Sequence, residues 1–271
     1  SIVGHCQPKR GRQVYSKKAL LFRPITRLLA WLGRHLLPAR CLICGQIAAA
    51  GSTLCTYCNT ELIQPKILPS MRCRRCAVPL IRLHERAMST TNDKDGALDC
   101  ATCIQKRPYF YQCVCAVDFN PAASRLVNQL KHQGRLTAIV PIAAIMTATI
   151  KAHYGPTLDE IDWVIAVPLH LNRLRARGFN QAIEIARPIC KQLQIPLQNH
   201  LCLRKVNTRQ QQAAGQQARQ DNLRGAFSAT QALNGARIAI IDDVVTTGAT
   251  VNALSKTLLQ AGASRCDIWC F

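Results

Sequence analysis

Two kinds of residue cluster in this chain could do chemistry. The first is a pair of adjacent carboxylates, Asp242 and Asp243, at the end of the apolar run Ile238-Ala239-Ile240-Ile241. That run has the length and β-branched bias of a strand buried on both faces, which puts the acids at the strand's C-terminal end. After them come Val244, Val245, Thr246, Thr247, Gly248, Ala249 and Thr250, then a helical pattern from Asn252 to Gln260. A Thr-Thr-Gly-Ala-Thr turn between a strand and a helix N-terminus gathers free backbone N–H groups, hydroxyl donors and the positive end of the helix dipole, which suits a phosphate. Gly248 lets the backbone approach such a ligand closely. The carboxylates would repel phosphate but can accept hydrogen bonds from two sugar hydroxyls, so the combination calls for a sugar phosphate. A bare helix cap is the competing reading, but neither acid stands at the ideal N-cap position.

The second is a series of four Cys-x-x-Cys pairs: Cys41/Cys44, Cys55/Cys58, Cys73/Cys76 and Cys100/Cys103. Two short thiolate knuckles joined by a loop can fold back into a tetrahedral four-cysteine zinc site, and the third and fourth pairs repeat the logic with a longer loop. Pairing the first with the second and the third with the fourth is preferred; an interleaved cross-brace is the alternative. No thioredoxin-like βαβ pattern surrounds any pair, which argues against a redox motif. The other seven cysteines, Cys6, Cys113, Cys115, Cys190, Cys202, Cys266 and Cys270, lack ligand spacing and read as core or surface thiols.

The Ile238–Thr250 stretch resembles the phosphoribosyl diphosphate loop of the type I phosphoribosyltransferases, an apolar strand, two acids, a short apolar spacer and Thr-Thr-Gly-x-Thr, over thirteen residues without a gap. No Walker loop and no G-x-G-x-x-G turn after a strand occurs.

The elements around these residues are those of an α/β domain. Gln112–Phe119 reads as a strand and Ala122–Gln133 as a helix stopped by Gly134, with Lys131 at its end, more often a solvated lysine than one that reaches a diphosphate. Leu136–Lys151 reads as an amphipathic helix, and Asp162–Val167 as a second buried strand running into Pro168–Gln181. In that loop Arg173, Arg175 and Arg177 alternate ahead of Gly178 and could hold a diphosphate or a nucleic-acid backbone. Gln181–Leu193 is helical, Leu201–Val206 strand-like, and Thr208–Asn222 a long polar loop of the kind that serves as a lid. Ser264–Phe271 is a final strand. Ahead of the cysteines, Ala19–Leu37 forms a basic amphipathic helix after a polar, basic leader.

The 271 residues carry 35 Lys or Arg against 14 Asp or Glu, a formal charge of +21, which predicts a polyanionic partner or surface. Residues 1–40 hold nine of the basic residues and no acid. Fifteen cysteines in a chain without a secretory leader fit metal thiolates in a reducing compartment, hence the cytoplasm. No transmembrane segment is expected, because the longest uncharged run outside the cysteine region, Leu136–Ile150, has fifteen residues and includes Pro141.

Taken together, Cys-x-x-Cys pairs ahead of V-P-L-H-x-x-R-x-R-x-R-G-F-N-Q-A (from Val167) and I-D-D-V-x-T-T-G-A-T (to Thr250) resemble the ComF family of competence-type proteins, over residues 41–271. The resemblance implies a double zinc ribbon fused to a type I phosphoribosyltransferase-like parallel sheet with helices on both faces, acting on incoming single-stranded DNA in natural transformation. It divides the chain into a basic arm with its helix (1–40), a double zinc-ribbon module (41–104) and a phosphoribosyltransferase-like domain (105–271). By the same resemblance Asp242 and Asp243 are the ribose-hydroxyl pair, Thr246, Thr247, Gly248, Ala249 and Thr250 the 5-phosphate cradle, and Leu169, His170, Arg173 and Arg177 the diphosphate loop. Zinc, magnesium with phosphoribosyl diphosphate, single-stranded DNA and other DNA-uptake or recombination proteins are the implied cofactors and partners, with the inner face of the membrane as a place of association. The lid departs from the family pattern at Ala214-Gly215 and at Ala218 before Arg219. An active phosphoribosyltransferase of nucleotide or base metabolism is the alternative. Tyr109, Phe110 and Tyr111 are the candidates for stacking on bases.

Overall fold

The computed structural model describes residues 39–64, 71–80, 98–206, 223 and 225–271. The amphipathic helix of the basic arm and the expected lid Thr208–Asn222 lie outside the described residues.

A four-stranded parallel sheet organises the chain, in the order β1 (Gln112–Cys115), β6 (Arg265–Cys270), β5 (Arg237–Asp242), β2 (Trp163–Ala166). Ile238, Ala239, Ile240 and Ile241 are each 0% exposed, so β5 is covered on both faces, as its unbroken apolar run requires. On one face Ala239, Ile241 and Trp269 pack with α3 (Pro121–Gln133), α4 (Ile139–Tyr154) and α6 (Gln181–Leu193). On the other, Ile238, Ile240 and Ile268 pack with α7 (Ala249–Gln260) and with a small antiparallel hairpin of β3 (Cys202–Arg204) and β4 (Phe227–Ala229). The expected architecture, a parallel sheet with helices on both faces behind a cysteine-rich module, is the one observed.

Several elements differ from expectation for local reasons. The first strand stops at Cys115 rather than Phe119, and the strand expected over Leu201–Val206 belongs to the separate hairpin. There Cys202 is buried and Leu203 exposed, the alternation of a strand with one face in solvent. Asn120 caps α3, its side chain accepting from the Ala123 N–H at 2.8 Å, and Gly134 closes it in the left-handed region. Pro188 sits inside α6, removing one backbone hydrogen bond without ending the helix.

The stretch Leu136–Glu160 is long and apolar enough, by length and composition, to cross a membrane. The uncharged run ends at Ile150, but the helix continues past Lys151 to Tyr154 and then into a 3₁₀ turn, Gly155–Glu160. Its apolar character serves the core here: Ile142, Met146 and Ile150 are buried against the sheet.

A polar network ties α4 to β6. Asp267, fully buried, takes a bidentate pair from Arg265 (2.8 and 2.8 Å), a hydrogen bond from the Tyr154 hydroxyl (2.6 Å) and one from Gln112 (3.2 Å). Trp269 Nε1 in turn donates to the Tyr154 hydroxyl at 3.1 Å. Burial and the Asp267 charge push the Tyr154 hydroxyl well above its usual pKa, so it remains a donor at neutral pH. Breaking this network by Asp267→Ala leaves Arg265 uncompensated and is expected to cost about 3–5 kcal/mol, read as a lowered midpoint in urea, with Asp267→Asn intermediate.

Candidate functional site

The acidic pair stands where the sequence puts it, at the carboxyl end of β5, the end at which parallel α/β sheets bind ligands. Asp242 is half-buried and Asp243 is 3% exposed, and the Asp243 N–H donates to Asp242 Oδ1 at 2.9 Å. Residues Val244–Val251 then wrap, with Asp242, a hollow of about 40 Å³. Gly248 ends the loop at φ 70 and serves as N-cap of α7, a backbone conformation that resists any side chain, and a Cβ there would also meet the Phe110 ring. Thr246 and Thr247 are exposed at the rim, while Thr250 stands in the first turn of the helix, which Ala249 begins. The arrangement is a strand, an acid pair, a hydroxyl-lined turn and a helix N-terminus in unbroken succession.

β2 lies beside β5 in parallel, with Ala166 opposite Ile241, and the Val167 N–H donates to the Ile241 carbonyl at 2.9 Å. The residues that follow, Pro168, Leu169 and His170, therefore leave the sheet at the same end as the acidic pair. What was expected to be an open loop contains a short helix, α5 (Leu171–Arg177), capped by His170, whose Nδ1 accepts from the Asn172 N–H at 3.2 Å. The helix changes the reading of the arginines. Arg173 and Arg177, four apart, share a face and are half-buried, whereas Arg175 turns to solvent. Arg177 is held by Gln181 Oε1 at 2.5 Å. Asn180, 5% exposed, fixes the end of the loop by donating to the Val167 carbonyl at 3.0 Å.

One residue of this region was missed in the sequence and another was weighted toward the wrong surroundings. Arg204, on β3, feels both Arg173 and Asp242: burial and then Arg173 lower its guanidinium pKa, and Asp242 opposes them. Its place depends on the hairpin folding over the sheet end, which no local pattern announces. Lys131 was given two readings, a solvated helix-end lysine as the commoner case and one that reaches a diphosphate; its Nζ lies 2.5 Å from Asp243 Oδ2. That oxygen takes no aligned hydrogen bond, so the contact is one of charge. At Asp242 burial, followed by the Asp243 charge, raises the pKa well above the ordinary carboxylate value, and the nearby Lys131 charge offsets this only in part.

The cysteine pairs assemble as expected, first with second and third with fourth. In each set of four, Cys41/Cys44/Cys55/Cys58 and Cys73/Cys76/Cys100/Cys103, all sulfurs lie within 4.8 Å of one another. Cys44···Cys55 and Cys76···Cys100 are both 3.7 Å apart, against about 3.8 Å for the edge of a tetrahedron with metal–sulfur bonds of about 2.3 Å. Two knuckles follow one plan: the Cys41 N–H donates to the Gln46 carbonyl and the Cys73 N–H to the Val78 carbonyl, with Gly45 and Ala77 at positive φ in corresponding places. The second pairs open helices α1 (Thr56–Ile63) and α2 (Ala101–Gln105).

Thiols this close cannot all ionise unaided. Burial opposes ionisation of Cys41, but the backbone N–H groups of Cys55, Cys44 and Ile43 hold its thiol at about 6, while burial and the neighbouring sulfurs push Cys58 far up. A divalent cation removes that conflict, and the two four-thiol sets fit zinc.

Of the aromatic residues between the modules, Phe110 is 4% exposed against Gly248 and cannot stack on a base. Tyr109 and Tyr111 are exposed, under Lys256 (5.2 Å) and Arg265 (3.8 Å) respectively. They line, with Arg75 and Arg107, a cavity of about 200 Å³.

With this geometry in hand, likenesses to known proteins can be stated. The double zinc ribbon domain family matches residues 32–104. The DNA utilization protein YhgH of Escherichia coli (strain K12) is 28% identical over 235 residues, covering 86% of this chain and 96% of that one. Competence protein F of Haemophilus influenzae is 27% identical over 235 residues (85% and 95%), and competence protein ComFC of Streptococcus pneumoniae 23% over 236 residues (83% and 95%). A purine phosphoribosyltransferase from Pyrococcus horikoshii overlaps 46% of this chain and 72% of its own at 19% identity and a TM-score of 0.28, too slight an overlap to argue from. The site and fold thus define a double zinc ribbon joined to a parallel α/β domain with an acid-pair and threonine loop. Over more than four fifths of its length the chain is similar to these DNA-utilization and competence proteins.

Two outcomes follow from the site. A carboxyl whose pKa is raised by folding weakens the fold above its unfolded pKa of about 3.9 and ceases to do so as pH falls below it. Asp242→Asn is therefore expected to raise Tm by about 2–4 °C at pH 8, with no difference from the parent near pH 3, in calorimetric scans. Exhaustive chelation is expected to remove two zinc ions per chain and to abolish the cooperative unfolding transition, because Cys41, Leu54, Cys58 and Leu62 share one buried cluster with Leu126 and Trp269. Metal analysis with circular dichroism checks this.

Proposed function

We propose that this chain is a ComF-like competence protein that handles incoming single-stranded DNA in natural transformation and binds phosphoribosyl diphosphate in the Asp242–Thr250 loop. The observation that carries the ligand is the acid pair, Asp243 buried and Asp242 half-buried, beside a hydroxyl-lined turn at the carboxyl end of a parallel sheet. Asp242 accepts hydrogen bonds from the ribose hydroxyls, with Asp243 poised by Lys131. The turn Thr246–Thr250 receives the 5-phosphate through backbone N–H groups and hydroxyls. The α5 loop, through His170, Arg173 and Arg177, faces the diphosphate, and magnesium neutralises that group's charge when bound. If transfer occurs, the sugar passes through an oxocarbenium-like state, for which the chain supplies orientation of the ribose and charge for the departing diphosphate.

Support for the DNA role is the charge of +21, the ribbons, and relatives named for DNA utilization and competence. Tyr109 and Tyr111, each beside a cation, offer a stacking surface next to the ribbons. We place this activity in the cytoplasm, where the sugar diphosphate is available.

Calorimetric titration with phosphoribosyl diphosphate and magnesium is expected to show saturable binding by the parent and at least about tenfold weaker binding by Asp243→Ala; a parent that does not bind removes the ligand from the proposal. In parallel, the logarithm of single-stranded DNA affinity should fall by about 0.7 per phosphate contacted for each tenfold rise in salt, and Tyr109→Ala should weaken it by about tenfold. A flat salt response would defeat the DNA role.

A further inference from the structure

Three cysteines outside the ribbons converge at the carboxyl end of the sheet. Cys113 and Cys115 alternate along β1 and so point to one face, and Cys270 at the end of β6 is the register partner of Cys115. Their sulfurs are 3.7 Å (Cys113–Cys115), 3.9 Å (Cys113–Cys270) and 3.1 Å (Cys115–Cys270) apart. Cys113 and Cys270 are 7% and 2% exposed, and Cys115 is half-buried. Among the described residues, Cys190, Cys202 and Cys266 are buried too but belong to no such group.

The spacing is that of ligands. Metal–sulfur bonds of about 2.3 Å put sulfurs about 3.8 Å apart in a tetrahedron and about 4.0 Å apart in a trigonal plane. Two of the three edges already have this length and match the 3.7 Å edges of the ribbon clusters. The short third edge opens by rotation of Cys115, the least buried of the three. Among the described residues no fourth cysteine, histidine or carboxylate joins the trio, so it lacks the donor set of a closed zinc site. Three thiolates, two of them screened from water, satisfy a soft ion of low coordination number.

We propose that Cys113, Cys115 and Cys270 form a third metal site, a three-thiolate site for a soft monovalent cation with Cu(I) as its fitting ion. Cys270 is the register partner of Asp242, so the ion lies one strand away from the acidic pair. The site stands on its own sulfur geometry and not on the sugar-phosphate ligand.

The test uses the zinc-loaded full chain, without oxygen, titrated with one equivalent of Cu(I) against a competing copper chelator. The parent is expected to retain one copper without releasing zinc, and X-ray absorption is expected to report three sulfur ligands. Cys115→Ser and Cys270→Ser should each lose the copper while keeping both zinc ions, which also certifies that they fold. Copper uptake matched by zinc release, copper retained equally by both variants, or no copper held by the parent would each overturn the proposal. So would a third zinc bound through the same cysteines in preference to Cu(I).

Discussion

Two carboxylates at the end of a strand buried on both faces must be given positive charge or lose their own, and this electrostatic demand shapes the molecule around them. Asp243 meets it with Lys131, which reaches across from the last turn of α3. The same helix grips the first zinc ribbon: Asn120 donates to the Glu61 carbonyl at 3.3 Å, Arg125 to the Ile43 carbonyl at 3.3 Å and Gln129 to the Leu42 carbonyl at 2.5 Å. One helix therefore spans from thiolate knuckle to acid pair. At Asp242 the same lysine is outweighed by burial and by the Asp243 charge, so its pKa stays raised.

The ribbons are built into the domain behind them. Leu54, Cys58 and Leu62 share a cluster with the helices on one face of the sheet, while Ala77 of the second ribbon joins the cluster on the other face. An Arg72–Asp118 ion pair fastens the second ribbon to the residues that follow β1, and Arg75 with Arg74 closes on Asp99 inside it. The two ribbons thus pack on opposite sides of the sheet, although Cys73, Cys100 and Cys103 form a small cluster of their own. The linker between the modules is fixed as well, with the Tyr109 N–H donating to Asn252 Oδ1 at 2.7 Å, in the first turn of the helix that the threonine loop enters.

Much of this was legible because it is local. A continuous run of β-branched residues can only be a covered strand, a Thr-Thr-Gly-Ala-Thr turn constrains its own backbone, and Cys-x-x-Cys spacing states its chemistry within four residues. The helix Pro121–Gln133 with its Asn and Gly caps was equally readable, within one residue at its start. The arginine loop was misread because its apolar residues form no stripe; α5 is held by its caps, His170 and Gly178, and exposes Leu171 and Leu174.

What the amino-acid order determined without help was therefore the chemistry of segments: the acid pair, the threonine-rich turn, the four-cysteine knuckles and the strands beside them. Only the tertiary structure decided which distant groups meet. It brought Lys131 to Asp243 across more than a hundred residues, set Arg204 beside Arg173, buried Phe110 under Gly248, and closed Cys113, Cys115 and Cys270 into one cluster. The reason is that sheet order and helix docking are set by burial of apolar area summed over the whole core, a quantity that no short window of sequence contains.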